Sequence, residues 1–122
     1  MKKIFFLFLI TMCIPILDKY EIDLKRAFDQ KNKEYAVLFY LDSCLACRNT
    51  KMFLIEKEKR ERKKVYFINF ELCEFKKENS NSNLNVSSYL DLNIKVVPTI
   101  LIIKDYQVIK ELIGYKDIIN NY

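Results

Sequence analysis

The sequence predicts an α/β fold in which a central mixed β-sheet is flanked by helices. Apolar stretches of strand length at 35–41, 65–72 and 94–103 alternate with stretches of helical spacing or high polarity, an order that favours parallel strands. A further apolar stretch, 108–113, follows the polar turn 104–107 and adds an antiparallel hairpin, which is common in mixed sheets. We therefore expect about four strands with helices on both faces.

Four helices are expected around these strands. The first, over 19–31, is predicted from apolar residues at helical spacing, namely Tyr20, Leu24, Ala27 and Phe28. The second begins at or just before Cys44 and ends in the charged run 56–64, which we interpret as a solvent-exposed helix end. A short helix is predicted over 86–92, and another after Gly114.

The beginning of the chain has the pattern of an export signal. Lys2 and Lys3 precede the apolar run 4–17, which is too short for a comfortable membrane span and suits the apolar core of a signal. We expect 1–17 to be a signal peptide or an N-terminal membrane anchor. Cleavage, lipidation at Cys13 and retention as an anchor all stay open, and each puts residues 18–122 in the periplasm or at the cell surface, where disulfides persist.

The composition excludes several kinds of site. The 122 residues, 51% of them hydrophobic, are enough for one domain with a real core. The chain has no histidine, which excludes a Ser-His-Asp triad, a Cys-His pair and a Cys2His2 zinc site. Three cysteines, Cys44, Cys47 and Cys73, would leave zinc one ligand short, so we expect no metal. The net charge of +5 includes Lys2 and Lys3 and is too small to indicate nucleic-acid binding.

The segment Cys44-Leu45-Ala46-Cys47 is the sharpest chemical feature of the sequence. It follows a predicted buried strand, and Asp42-Ser43 offers an N-cap for the helix that it opens. Cys44 would then lie in the first turn, where backbone N–H groups favour a thiolate, while Cys47 would be shielded one turn further on. An exposed nucleophile beside a resolving thiol is what disulfide exchange requires. A structural disulfide or two inert thiols remain the alternatives.

The chain resembles the thioredoxin superfamily over about residues 19–119. The resemblance is carried by the motif segment 39–47, the triplet Val97-Pro98-Thr99 and the hairpin that ends at Gly114. It implies that 18–122 is a thioredoxin-like domain. It also implies that Pro98 is a cis-proline facing the cysteines, and that Val97, Pro98 and Thr99 form a groove which binds a substrate peptide as a short strand.

Three positions depart from thioredoxins proper. Ser43 stands where they have Trp, Leu45-Ala46 replaces Gly-Pro, and Leu38 occupies the position of a buried acid that helps to deprotonate the second cysteine. Because the pair between the cysteines carries no charge, we expect an intermediate to reducing potential. The charged residues placed to tune the thiolate are Asp42, Arg48 and Lys51.

These features predict an exported thiol-disulfide oxidoreductase with Cys44 as nucleophile and Cys47 as resolving thiol. No bound cofactor is expected beyond the Cys44–Cys47 disulfide itself. The expected partners are protein or peptide thiols and disulfides, and a partner dithiol, for which a membrane donor is one candidate, would supply electrons. The alternative is a non-catalytic thioredoxin-fold module that holds a peptide, similar to accessory proteins of bacteriocin systems. Cys73 is interpreted as a half-buried apolar residue or as a secondary thiol.

Overall fold

The computed structural model describes residues 19–76 and 82–122. The expected signal or anchor, with Cys13, therefore lies outside the described residues. The described residues form one four-stranded sheet in the order β2-β1-β3-β4. Its strands are β1 (Glu34–Tyr40), β2 (Val65–Asn69), β3 (Thr99–Lys104) and β4 (Gln107–Ile113).

Strand β1 lies in the middle of the sheet and is buried on both faces. It pairs in parallel with β2 and antiparallel with β3, and β3 pairs antiparallel with β4. Residues 35–40 are all buried, as a continuous apolar run in a central strand predicts. This mixed sheet confirms the predicted α/β class.

The two faces of the sheet are covered differently. Helices α1 (Leu45–Glu61) and α2 (Tyr115–Asn121) pack on one face through residues such as Leu54 and Ile118. On the other face, Phe39 and Leu101 pack against Leu92 and Ile94, which belong to a segment with a single 3₁₀ turn. The two α-helices of the described residues thus share one face, whereas we expect helices on both; 3₁₀ turns pack on the other face. Within residues 19–76 and 82–122, no helix has the length and apolar character needed to cross a membrane.

The predicted helix over 19–31 is wrong. The backbone of Tyr20 and Ile22 instead pairs with Phe67 of β2, in bonds of 2.6 and 2.9 Å. The buried Tyr20 ring stacks on the Phe67 ring at 5.3 Å between centroids. Only the 3₁₀ turn Leu24–Arg26 is helical. Hydrogen bonds to the open edge of β2 therefore outweigh the local helical spacing, which by itself is a weak preference.

The predicted helix over 86–92 is also reduced, to the 3₁₀ turn Tyr89–Asp91. Its first residue is tied to the sheet, because the Val108 N–H donates to the Val86 carbonyl at 2.9 Å. The Asn85 N–H in turn donates to the Val108 carbonyl at the same distance. A backbone that pairs with the edge of β4 cannot form the helical i→i−4 bonds.

The predicted turn between β3 and β4 is confirmed. Asp105 and Tyr106 both have positive φ, 51° and 66°. This is the combination that type I′ hairpin turns require, because their twist matches that of the flanking strands. The hairpin ends at Gly114, whose φ of 88° suits a residue without a side chain.

We expect Leu38→Ala to lower the free energy of unfolding by about 2–5 kcal/mol. Leu38 lies in the central strand and is fully buried in the cluster beneath α1, so truncation leaves a cavity there. Urea unfolding measures the change. Leu72→Ala is the matched control, since Leu72 is 79% exposed and should change stability by less than about 0.5 kcal/mol. Equal effects of the two substitutions would contradict this packing.

Candidate functional site

Helix α1 begins at Leu45, and Cys44 is its N-cap residue. The Cys44 Sγ accepts a hydrogen bond of 3.1 Å from the Cys47 backbone N–H. The predicted cap at Asp42 or Ser43 is therefore wrong, because the thiol itself satisfies a backbone donor that the helix start leaves open. The sulfur of Cys44 consequently lies at the positive end of the helix dipole.

The two thiols of the motif differ sharply in exposure. Cys44 is partly exposed, whereas Cys47 is 1% exposed beneath the first turn. Burial raises the pKa of Cys47 to about 12, and the neighbouring Cys44 thiol adds to the rise through a hydrogen bond. Cys47 is therefore a protonated, shielded thiol directly behind an accessible one, which is the asymmetry that the sequence predicts.

Lys51 is the charged side chain that bears on Cys47. It lies on α1 one turn after Cys47, and its charge opposes the rise in the pKa of that thiol. The Lys51 Nζ lies 3.2 Å from the centroid of the Tyr40 ring and 5.3 Å from that of Phe67. Burial lowers the pKa of Lys51 itself, while the negative charges of Glu21 and Asp42 oppose that shift.

The residues expected to tune the thiolate lie further out. Arg48 is exposed, and its Nε donates to the backbone carbonyl of Asp42 at 3.3 Å. Neither Arg48 nor Asp42 is among the groups that shift the pKa of Cys47. Their tuning role stays a prediction, and Lys51 is the tuning candidate whose charge acts on the pKa of Cys47.

Glu21 is a site residue that the sequence did not indicate. The Tyr40 hydroxyl donates to the Glu21 carboxylate, and burial together with this bond raises the pKa of Tyr40. The contact joins residues 19 positions apart. No local pattern signals such a contact, and the helix predicted over 19–31 would not have put Glu21 beside β2.

The triplet Val97-Pro98-Thr99 lies at the end of the sheet where β1 ends and β3 begins, which is also the end that carries the cysteines. Thr99 begins β3 and pairs with Phe39 near the end of β1. Val97 and Cys44 are both partly buried and pack against the same apolar cluster, the one beneath α1. The Val97–Pro98 peptide bond is cis. Within the described part of the chain, no backbone hydrogen bond uses the N–H or C=O of Val97.

Thr99 is buried, and its hydroxyl donates to the Val96 carbonyl at 2.8 Å. Its side chain therefore stabilises the loop that carries Val97 and Pro98, and is turned away from solvent. Pro98 is buried too, while Val97 is partly exposed and Val96 is half exposed. The accessible residue of the triplet is thus Val97, with the exposed Val96 beside it.

Cys73 packs on the other face of the sheet from Cys47, within the cluster that contains Phe39. Its thiol donates to the Asn69 carbonyl at 3.4 Å, and burial raises its pKa to about 11. It lines an open cleft of about 690 Å³. Across residues 19–76 and 82–122, no group of three or more metal-ligating side chains comes together.

Comparisons with solved structures identify the architecture as the thioredoxin fold. Thioredoxin f2 of Chlamydomonas reinhardtii is similar with a TM-score of 0.54 and 19% identity, over 78% of this chain and 82% of that one. Mitochondrial thioredoxin 3 of Saccharomyces cerevisiae, in its oxidised form, is similar with a TM-score of 0.53 and 16% identity, over the same shares. No family model and no curated protein matches the sequence. At these identities the likeness establishes the fold, and a thioredoxin fold with a Cys44–Cys47 pair suggests thiol-disulfide redox chemistry.

We predict that Cys47 in the Cys44→Ser variant reacts with iodoacetamide about tenfold faster for each pH unit from about pH 7 to about pH 9. A thiol is protonated below its pKa, and burial keeps the pKa of Cys47 far above this range, so the thiolate fraction grows throughout. Mass spectrometry of the Cys47 peptide gives the rate, and serine preserves the helix cap.

The control for this titration is the same variant unfolded in urea. Because burial is then lost, the rate should level off near the ordinary pKa of a thiol, about 8.5. A plateau near that pH in the folded protein would contradict the buried, protonated state of Cys47.

Proposed function

We propose that the protein is an extracytoplasmic thiol-disulfide oxidoreductase that acts through Cys44 and Cys47. The observation that carries the proposal is the unequal placement of two thiols at one helix start. Cys44 caps the helix and is accessible, and Cys47 lies buried behind it with its N–H bonded to the Cys44 sulfur. Disulfide exchange needs one sulfur to attack and a second to release the product.

The proposed reaction has two displacement steps. The Cys44 thiolate attacks one sulfur of a substrate disulfide, a new S–S bond forms, and the other substrate sulfur leaves as a thiolate that takes a proton from water. Cys47 then loses its proton and attacks the Cys44 sulfur. The Cys44–Cys47 disulfide forms, the second substrate sulfur leaves, and the substrate has gained the two electrons that the protein lost.

A peptide substrate would lie beside the triplet Val97-Pro98-Thr99. The support is that the Val97 backbone is unpaired within the described part of the chain and lies at the edge of the sheet that carries Cys44. An extended peptide can pair with such a backbone as an added strand. Leu45 and Val96 are exposed apolar side chains next to this backbone and Cys44, and would contact the substrate's side chains.

Export is proposed from the pattern of residues 1–17, a positive start followed by an apolar run. Outside the cytoplasm, the oxidised protein would depend on a dithiol donor, and a membrane protein is the donor that we propose. The N-terminal segment would keep the domain near such a donor if it is retained or lipidated at Cys13. Substrates would be protein or peptide disulfides, and no further cofactor is needed.

We predict that reduced Cys47→Ser, mixed with oxidised glutathione, accumulates a stable glutathione adduct at Cys44. The wild-type protein should pass through the same adduct and end as the Cys44–Cys47 disulfide, because Cys47 displaces the glutathione. Mass spectrometry of the intact chain and of its peptides distinguishes the two products. Cys73→Ser is the matched control and should behave as the wild type, since Cys73 lies on the other face of the sheet.

The outcome that contradicts enzymatic exchange is an adduct that persists at Cys44 in the wild-type protein, or no adduct in either protein. That result would favour the alternative, a thioredoxin-fold module that binds a peptide through the Val97 backbone without exchanging disulfides.

A further inference from the structure

Lys51 is a partly buried lysine whose ammonium packs against an aromatic ring. It lies on α1 four positions after Cys47, so the two side chains are neighbours on one face of the helix. It is only partly exposed, and its ammonium rests 3.2 Å from the centroid of the Tyr40 ring. The ammonium is therefore held against an aromatic ring, on the helix face that also carries Cys47.

The fold fixes this ammonium from several sides. The rings of Tyr40 and Phe67 lie on adjacent strands and both contact it, at 3.2 and 5.3 Å from their centroids. The Tyr40 hydroxyl is anchored by Glu21. Cation–π contacts of this kind strengthen when the cation is partly desolvated, so Lys51 is restrained at its position.

The charged groups around Lys51 come from each element packed against it. Glu21 lies on the segment that pairs with β2, Asp42 precedes the helix, and Cys47 lies on α1 itself. The charges of Glu21 and Asp42, and that of Cys47 once it is a thiolate, favour the ammonium form against the desolvation that lowers the pKa of Lys51. The positive charge of Lys51 in turn lowers the pKa of Cys47 and thus offsets part of the effect of burial.

We propose that Lys51 is a positioning residue that stabilises the thiolate of Cys47 while Cys47 releases a substrate from Cys44. This role rests on the proposed function. The stabilising charge would then lie on the helix, four residues after the resolving cysteine. Strand β1 supplies no acid that could assist Cys47, because Leu38 stands at the position where thioredoxins have a buried acid. Lys51 keeps its own proton and touches no reacting bond.

The step that Lys51 assists is balanced without a further reactant. The Cys47 thiol gives its proton to water, and the resulting thiolate attacks the Cys44 sulfur of the mixed disulfide. The Cys44–Cys47 bond forms, the bond from Cys44 to the substrate breaks, and the departing thiolate takes a proton from water. A positive charge beside Cys47 raises the fraction of thiolate and thereby the rate of this step.

The test compares Lys51→Met with Lys51→Arg in the full chain. Methionine keeps the apolar stem against Tyr40 but removes the charge, whereas arginine keeps the charge. In the Cys44→Ser background, iodoacetamide should modify Cys47 about tenfold more slowly in the methionine variant at about pH 8, because loss of the charge raises the pKa of Cys47. The arginine variant should retain most of the wild-type rate. Lys59→Met, an exposed site on the same helix, is the matched control and should change nothing.

A second measurement uses the intact motif. Reduced protein is mixed with oxidised glutathione, and release of glutathione from the Cys44 adduct is followed by rapid quenching and mass spectrometry. Lys51→Met should slow this release about tenfold at about pH 7, with a smaller difference at high pH, where the thiolate forms without assistance. Formation of the adduct at Cys44 should be less affected than its release.

Two results would overturn the role of Lys51. If Lys51→Met and the wild type react at equal rates, Lys51 does not assist Cys47. If the arginine and methionine variants are slowed equally, the effect comes from lost packing and the charge of Lys51 does not contribute. Failure of the proposed function gives a different result from failure of the role of Lys51. In that case the glutathione adduct at Cys44 persists in the wild type, while the alkylation rate of Cys47 still reports on the charge of Lys51. Circular dichroism and thermal unfolding of each variant confirm that it is folded.

Discussion

Strand β1 is hydrogen-bonded to a neighbouring strand on each side, and this pairing sets the positions of the helix start and of Val97. Because β1 is parallel to β2 and antiparallel to β3, the end of β1, the end of β2 and the start of β3 meet at one edge of the sheet. The chain leaves β1 into the segment that ends at Cys44, and it enters β3 from Val97 through Pro98. The pairing of β1 with β3 therefore brings the Cys44–Cys47 motif close to the backbone of Val97, although Cys44 and Val97 are more than fifty positions apart in the sequence.

The site combines two opposed electrostatic effects within one helical turn. The start of α1 presents Cys44 at the positive end of the helix, where its sulfur accepts a backbone hydrogen bond. The same geometry buries Cys47, and burial favours its protonated form. Lys51, held over Tyr40, supplies the charge that opposes this burial. An accessible sulfur that reacts first and a shielded sulfur that reacts second are the outcome expected of this arrangement.

The features predictable from sequence were those with a local cause. Three predicted elements are determined by residues close to them in the sequence, and all three are confirmed. They are strand β1, the turn at Asp105 and the helix that follows the first cysteine. The helix predicted over 19–31 is wrong because apolar residues at helical spacing do not by themselves require a helix. The conformation of this segment depends on hydrogen bonds to the open edge of β2, which lies far along the chain. The contact of Glu21 with Tyr40 was unpredictable for the same reason. The cap was misassigned because serine and aspartate are commoner caps than cysteine.

The reduction potential of the Cys44/Cys47 couple decides whether the two thiols form a reversible redox pair. The full chain would be equilibrated in glutathione or dithiothreitol buffers, and alkylation of each cysteine read by peptide mass. We expect a reversible couple between Cys44 and Cys47, with a potential nearer to about −270 mV, as in thioredoxin, than to about −120 mV, as in strong oxidants. A pair that stays locked as a disulfide in all these buffers, or that never forms one, would contradict it.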